Sequence, residues 1–150
     1  MIKSNHSPVI IATFIWVGFV CAISFMEAWL KFRAPGITLA LGLGIGRLVF
    51  KALNMVEWAL LITIIISMLL NKEGQVNFRN LFLFIPLLIL LIQSLYALPA
   101  LDARANLRIR GLMVEPSNLH FFYILMEAIK VICLVIFGIK QFKPRIYANC

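Results

Sequence analysis

Charge is what this chain has least of. Charged residues make up 13% of its 150 positions and only six residues are acidic, while 63% are hydrophobic. Soluble domains carry about 25% charged residues and roughly half apolar ones, so this composition excludes an ordinary soluble fold. Cysteine is also scarce. Cys21, Cys133 and Cys150 form no CxxC pair, which argues against the thiol-redox membrane enzymes built on that motif. Cys21 and Cys133 fall in apolar runs and read as small core residues, and Cys150 has no prenylation box around it. The paired Glu-x-x-His motif of di-iron bundles is missing. No strand precedes the glycines of residues 36–46, which argues against a phosphate-binding loop.

Long apolar runs are abundant, and mean hydropathy reaches +0.99. Four of them, at residues 8–30, 52–70, 81–101 and 119–139, have the roughly 20 residues that a helix needs to cross a bilayer. Lipid cannot satisfy open backbone groups, and the runs are too continuous for barrel strands. The expected fold is all-α: one domain over residues 1–150, an integral-membrane four-helix bundle running up-down-up-down. The first run carries Glu27 and Trp29 and lacks a convincing cleavage box, so it reads as a retained helix rather than a signal sequence.

The net charge of +8 is distributed among loops and tails that flank the spans. That placement suits lipid headgroups and does not suit nucleic acid. Lys3, Lys72, Arg79, Lys140, Lys143 and Arg145 lie on the side of the termini. Lys31, Arg33, Arg47, Lys51, Arg104, Arg108 and Arg110 lie on the other side. With Arg47 and Lys51 set aside for buried pairing, the positive-inside rule leans towards cytoplasmic termini.

Between the spans, residues 34–50 read as a glycine-loosened interfacial or re-entrant segment, with Gly42 and Gly46 at a spacing that admits a close neighbour. Residues 71–80 read as a polar turn. Pro99 is expected to kink the third span, after which residues 102–110 leave the membrane as a basic helix stopped by Gly111.

The few charges inside the spans are the functional lead, because each costs about 2.5–3.5 kcal/mol to insert and needs a partner or a wet cavity. In an up-down-up-down bundle Glu27, Arg47, Asn54, Glu57, Asp102, Arg104, His120, Tyr123 and Glu127 collect at one end, the side of the first and third loops. His120, Tyr123, Glu127 and Lys130 form one stripe on the fourth span, while Gln93, Ala97, Ala100 and Arg104 align on the third. Three accounts are open at this level. The cluster is a set of ion pairs (Glu27 with Lys31, Glu57 with Arg47 or Lys51, Asp102 with Arg104, Glu127 with Lys130), a pocket for a lipophilic ligand, or a metal site built on Glu57, His120 and Glu127 with Glu27. In a pocket, Arg47 and Arg104 would hold an anionic group, Glu57 or Glu127 would move protons, and His120 would shuttle them. No cofactor follows from the residues alone. A transport role would need a homo-oligomer, because four helices seldom enclose a pathway.

Two resemblances attach to these residues. Phe32-Arg33-Ala34-Pro35, Arg47-Leu48-Val49-Phe50, Leu98-Pro99-Ala100-Leu101-Asp102-Ala103-Arg104 and His120 at the head of the last span resemble the small four-span proteins grouped with transmembrane protein 205 and related uncharacterised bacterial proteins. Where that family has an amide seven residues after the histidine, this chain has Glu127. The resemblance implies the four-span fold and no particular activity. Locally, Arg47-x6-Asn54-x2-Glu57 is similar to the second-helix motif of membrane-associated eicosanoid and glutathione metabolism proteins. It implies a glutathione site lined by Arg47, Asn54 and Glu57 between subunits of a trimer. The family's second arginine is Phe50 here. The function expected is therefore a small membrane protein whose polar cluster binds a ligand or stabilises the structure. The alternative is a glutathione- or metal-dependent membrane enzyme acting on a lipophilic substrate.

Overall fold

The computed structural model describes residues 7–70 and 81–142. It places four helices, each long and apolar enough to cross a membrane: α1, Pro8–Arg33; α2, Leu39–Leu70; α3, Leu81–Ile109; and α4, Leu119–Gln141. Helix α1 packs against α2 and α4, and α3 packs against α4 and α2, which closes a square antiparallel bundle. The turn expected at residues 71–80, and Cys150, lie outside the described residues.

The bundle has its polarity turned inwards. Ile11, Leu48, Met55, Leu69, Leu95 and Phe121 are exposed, as they should be on helices whose outer solvent is hydrocarbon. Trp16, Leu53, Leu61, Ile64, Leu90, Leu134 and Phe137 fill the centre, and buried with them are Glu57, Gln93, Glu127 and Lys130.

One expectation is corrected. Residues 34–50 are not an interfacial or re-entrant segment: from Leu39 onwards they are the first turns of α2. The glycines serve close approach, as the spacing of Gly42 and Gly46 implied. The Phe32 ring lies directly over Gly42, and Lys31 Nζ lies 2.8 Å from where a Cβ on Gly46 would stand. Small residues admit the end of α1 to the face of α2, and that gain overrides their weak helix propensity.

Helix α3 continues past Pro99, as the basic helical extension expected over residues 102–110 requires. The helix runs on to Ile109 after a widened π-type turn at Gln93–Ala97. Proline cannot donate to the carbonyl four residues earlier, Leu95, and that carbonyl lies within the widened turn, where the usual bonding ladder is already displaced. Gly111, at φ 76°, follows the end of α3 as foreseen. A second widened turn, Cys21–Glu27, interrupts α1 and carries buried Ser24 on its inner side.

Candidate functional site

The sequence-predicted polar residues separate into two places. The first is a cavity of about 940 Å³ at the end of the bundle where the first and third loops lie. Its lining comes from the end of α1, the first half of α2, the second half of α3 and the start of α4. Among the lining residues are Arg47, Asn54, Asp102, Arg104, His120 and Tyr123, with Lys31, Lys51 and Arg108 beside them.

Arg47 fixes one wall. Its Nε donates to Asp102 Oδ1 at 2.5 Å and its Nη2 to Asp102 Oδ2 at 2.9 Å, while Nη1 donates to Asn106 Oδ1. This fork joins α2 to the emergent part of α3. The carboxylate is about half exposed, so the fork sets geometry more than it adds stability. Asp102 therefore pairs across helices with Arg47 and not with Arg104, whose guanidinium donates to the backbone carbonyl of Glu115. Lys31 reaches Glu27 at 3.1 Å, as the i, i+4 spacing implies, and its ammonium also lies 5.5 Å from the ring centres of Phe32 and Phe50. Asn54 donates to Ser94 Oγ at 2.8 Å, and Trp58 Nε1 donates to the same oxygen at 2.9 Å. Phe50 meets Tyr123 edge-on at 5.4 Å.

Five of the lining side chains are cationic (Lys31, Arg47, Lys51, Arg104 and Arg108), against one carboxylate, Asp102. Lys51 and Arg108 have no ion pair or hydrogen bond among the described residues. The remaining walls include Phe32, Leu43, Phe50, Leu98 and Leu101. The cavity thus combines an apolar body with uncompensated positive charge.

The second place is closed. Lys130 Nζ lies 2.5 Å from Glu57 Oε1 and 3.2 Å from Glu127 Oε1, and all three side chains are at most 1% exposed. Trp16 Nε1 donates to Glu57 Oε1 at 2.8 Å, and Gln93 Nε2 donates to Glu127 Oε1 at 2.8 Å. Every helix contributes: Trp16 from α1, Glu57 from α2, Gln93 from α3, and both Glu127 and Lys130 from α4. None of them lines the cavity. Tyr123 stands between the two places, lining the cavity one turn before Glu127 on the same face of α4.

Glu57 therefore pairs with Lys130 and not with Arg47 or Lys51, whereas Glu127 takes Lys130 as expected. Arg47 and Asn54 line the cavity and Glu57 does not, so the three do not share one surface. The metal candidates do not converge either. His120 belongs to the cavity, and among the described residues no three His, Cys, Asp or Glu side chains are arranged to hold an ion. Sequence reasoning missed Trp16 as a donor to the cluster, along with the bridging roles of Ser94 and Asn106. Hydropathy counts a mid-span tryptophan as apolar, yet its indole N–H needs a partner wherever it is buried.

Four apolar crossing helices, polar inside and apolar outside, define a small multi-pass helical membrane protein. Comparison with protein-family models, curated proteins and solved structures finds no match.

Proposed function

We propose that the cavity binds one amphiphile with an anionic head, a carboxylate or a phosphate, whose apolar body lies against Phe32, Phe50 and Leu98. The observation that carries this reading is the excess of cations in the lining, above all Lys51 and Arg108, which have no protein counter-charge among the described residues. Both side chains are exposed, so their charges are open to an anionic group that enters the cavity. Arg47 is already held by Asp102 and Asn106, so it positions the wall while Lys51 and Arg108 meet the head. In this reading the site holds its ligand without acting on it.

The test is native mass spectrometry of the purified protein offered a long-chain carboxylate, an anionic phospholipid or zwitterionic phosphatidylcholine. One anionic molecule per chain is expected to survive dissociation of the detergent, and its binding should weaken as salt rises. The carboxylate and phospholipid arms distinguish the two heads. Equal retention of the zwitterionic lipid would overturn the proposal.

A further inference from the structure

The closed cluster has too many acceptors. Glu57 Oε2, Glu127 Oε2 and Gln93 Oε1 are buried with no hydrogen-bond partner. Trp16 and Lys130 donate to Glu57 Oε1, and Lys130 and Gln93 donate to Glu127 Oε1, so the donors converge on one oxygen of each carboxyl. With both carboxyls ionised, two negative charges face one ammonium, which leaves one unit of negative charge in an apolar interior. The surrounding elements do not supply the missing positive charge. Helix α1 offers the Trp16 indole, α3 the Gln93 amide, and α4 the Tyr123 phenol besides Glu127 and Lys130. Buried ionic groups persist when their charges and lone pairs are both answered, and here one charge and three acceptors are not.

A single proton answers the charge and two of those acceptors. It makes the cluster neutral, and it turns the unpartnered oxygen of one carboxyl into a donor for that of the other. We propose that Glu57, Lys130 and Glu127 form an intramembrane proton-binding site, holding one proton between the two carboxyls and exchanging it with the cavity through Tyr123. The transfer balances without a co-reactant. A hydronium ion in the cavity gives its proton to the Tyr123 oxygen and leaves as water, while that hydroxyl passes its own proton to Glu127, and the return trip reverses the step. Tyr123 is suited to this because it is buried, lines the cavity and precedes Glu127 by one turn on the same face of α4. His120, one turn earlier on the same face of α4, lines the mouth of the route. The site does not depend on what occupies the cavity.

Infrared spectroscopy of the protein in bilayers tests this. The wild type at neutral pH should show one carbonyl stretch of a protonated carboxylic acid, sensitive to exchange into heavy water. Glu57→Gln and Glu127→Gln should each abolish it, since the one remaining carboxylate is then neutralised by Lys130. Tyr123→Phe should keep the band while slowing its isotope shift about a hundredfold. Far-UV circular dichroism establishes that the variants are folded. Absence of the band from the wild type overturns the site, and so does its survival in both glutamine variants or its loss on titration with sodium, which would make the occupant a metal cation. A Tyr123→Phe protein that exchanges at the wild-type rate overturns the route.

Discussion

Lys130→Met is expected to lower the stability of the bundle by about 3–5 kcal/mol, the range for removing one partner of a buried ion pair. The methionine is close to lysine in length, so the loss comes from charge. Glu57 and Glu127 stay within the core at no more than 1% exposure, each deprived of its ammonium. Glu57→Gln should cost clearly less. It takes away one negative charge and leaves Lys130 paired with Glu127, while the amide still offers an oxygen to Trp16. Converting Glu57 and Glu127 to glutamine together with Lys130→Met should recover much of the loss, because replacing a whole buried ionic group by neutral residues is often neutral or stabilising. Unfolding in mixed micelles followed by tryptophan fluorescence gives the order. A Glu57→Gln protein as unstable as Lys130→Met would contradict the charge balance argued for the cluster.

The second large effect concerns the cavity. Lys51→Ala combined with Arg108→Ala is expected to weaken binding of the anionic amphiphile about a hundredfold. That corresponds to two charge-assisted contacts at the low end of ~1.5–3 kcal/mol each, with tenfold for every 1.4 kcal/mol. Both side chains are exposed and have no partner among the described residues, so the fold should not register their loss. Titration of the double variant with the anionic ligand checks this. Unchanged affinity would mean that Lys31, Arg47 and Arg104 hold the head, or that the cationic excess serves the membrane surface alone.

The parts of this architecture governed by periodicity were legible in the sequence. Apolar runs of membrane length gave four spans, and the i, i+3, i+7 and i+10 spacing of His120, Tyr123, Glu127 and Lys130 put them on one face of α4. Local pairs were legible for the same reason, as with Glu27 and Lys31. Cross-helix pairing was not. Whether Glu57 meets Lys51 or Lys130, and whether Asp102 meets Arg104 or Arg47, depends on the rotation of packed helices, to which the spacing within one helix is blind. The widened turn at Gln93–Ala97 adds to this, since an extra residue in the turn re-aims every side chain after it and no residue in Gln93-Ser94-Leu95-Tyr96-Ala97 signals it. Gly42 and Gly46 were legible in part: their spacing announced a close neighbour, while their low propensity hid the helix. Glycine lowers helix propensity wherever it stands, and only the tertiary contact with Phe32 and Lys31 shows why two of them open a long helix. A single polar cluster in the sequence therefore became two in space, with Tyr123 as the wall between them.

That division is the central claim, and neighbouring positions on α3 test it most directly. Ser94 lines the cavity, whereas Gln93 is buried in the closed cluster. With Cys21, Cys133 and Cys150 replaced by serine, single cysteines at the two positions, Ser94→Cys and Gln93→Cys, are challenged with a membrane-impermeant thiol reagent. The Ser94→Cys protein should react from the side of the first and third loops only and be protected by the anionic amphiphile, while Gln93→Cys stays unlabelled. Labelling of both positions, or of neither, would contradict a cavity that is open to water beside a cluster that is shut.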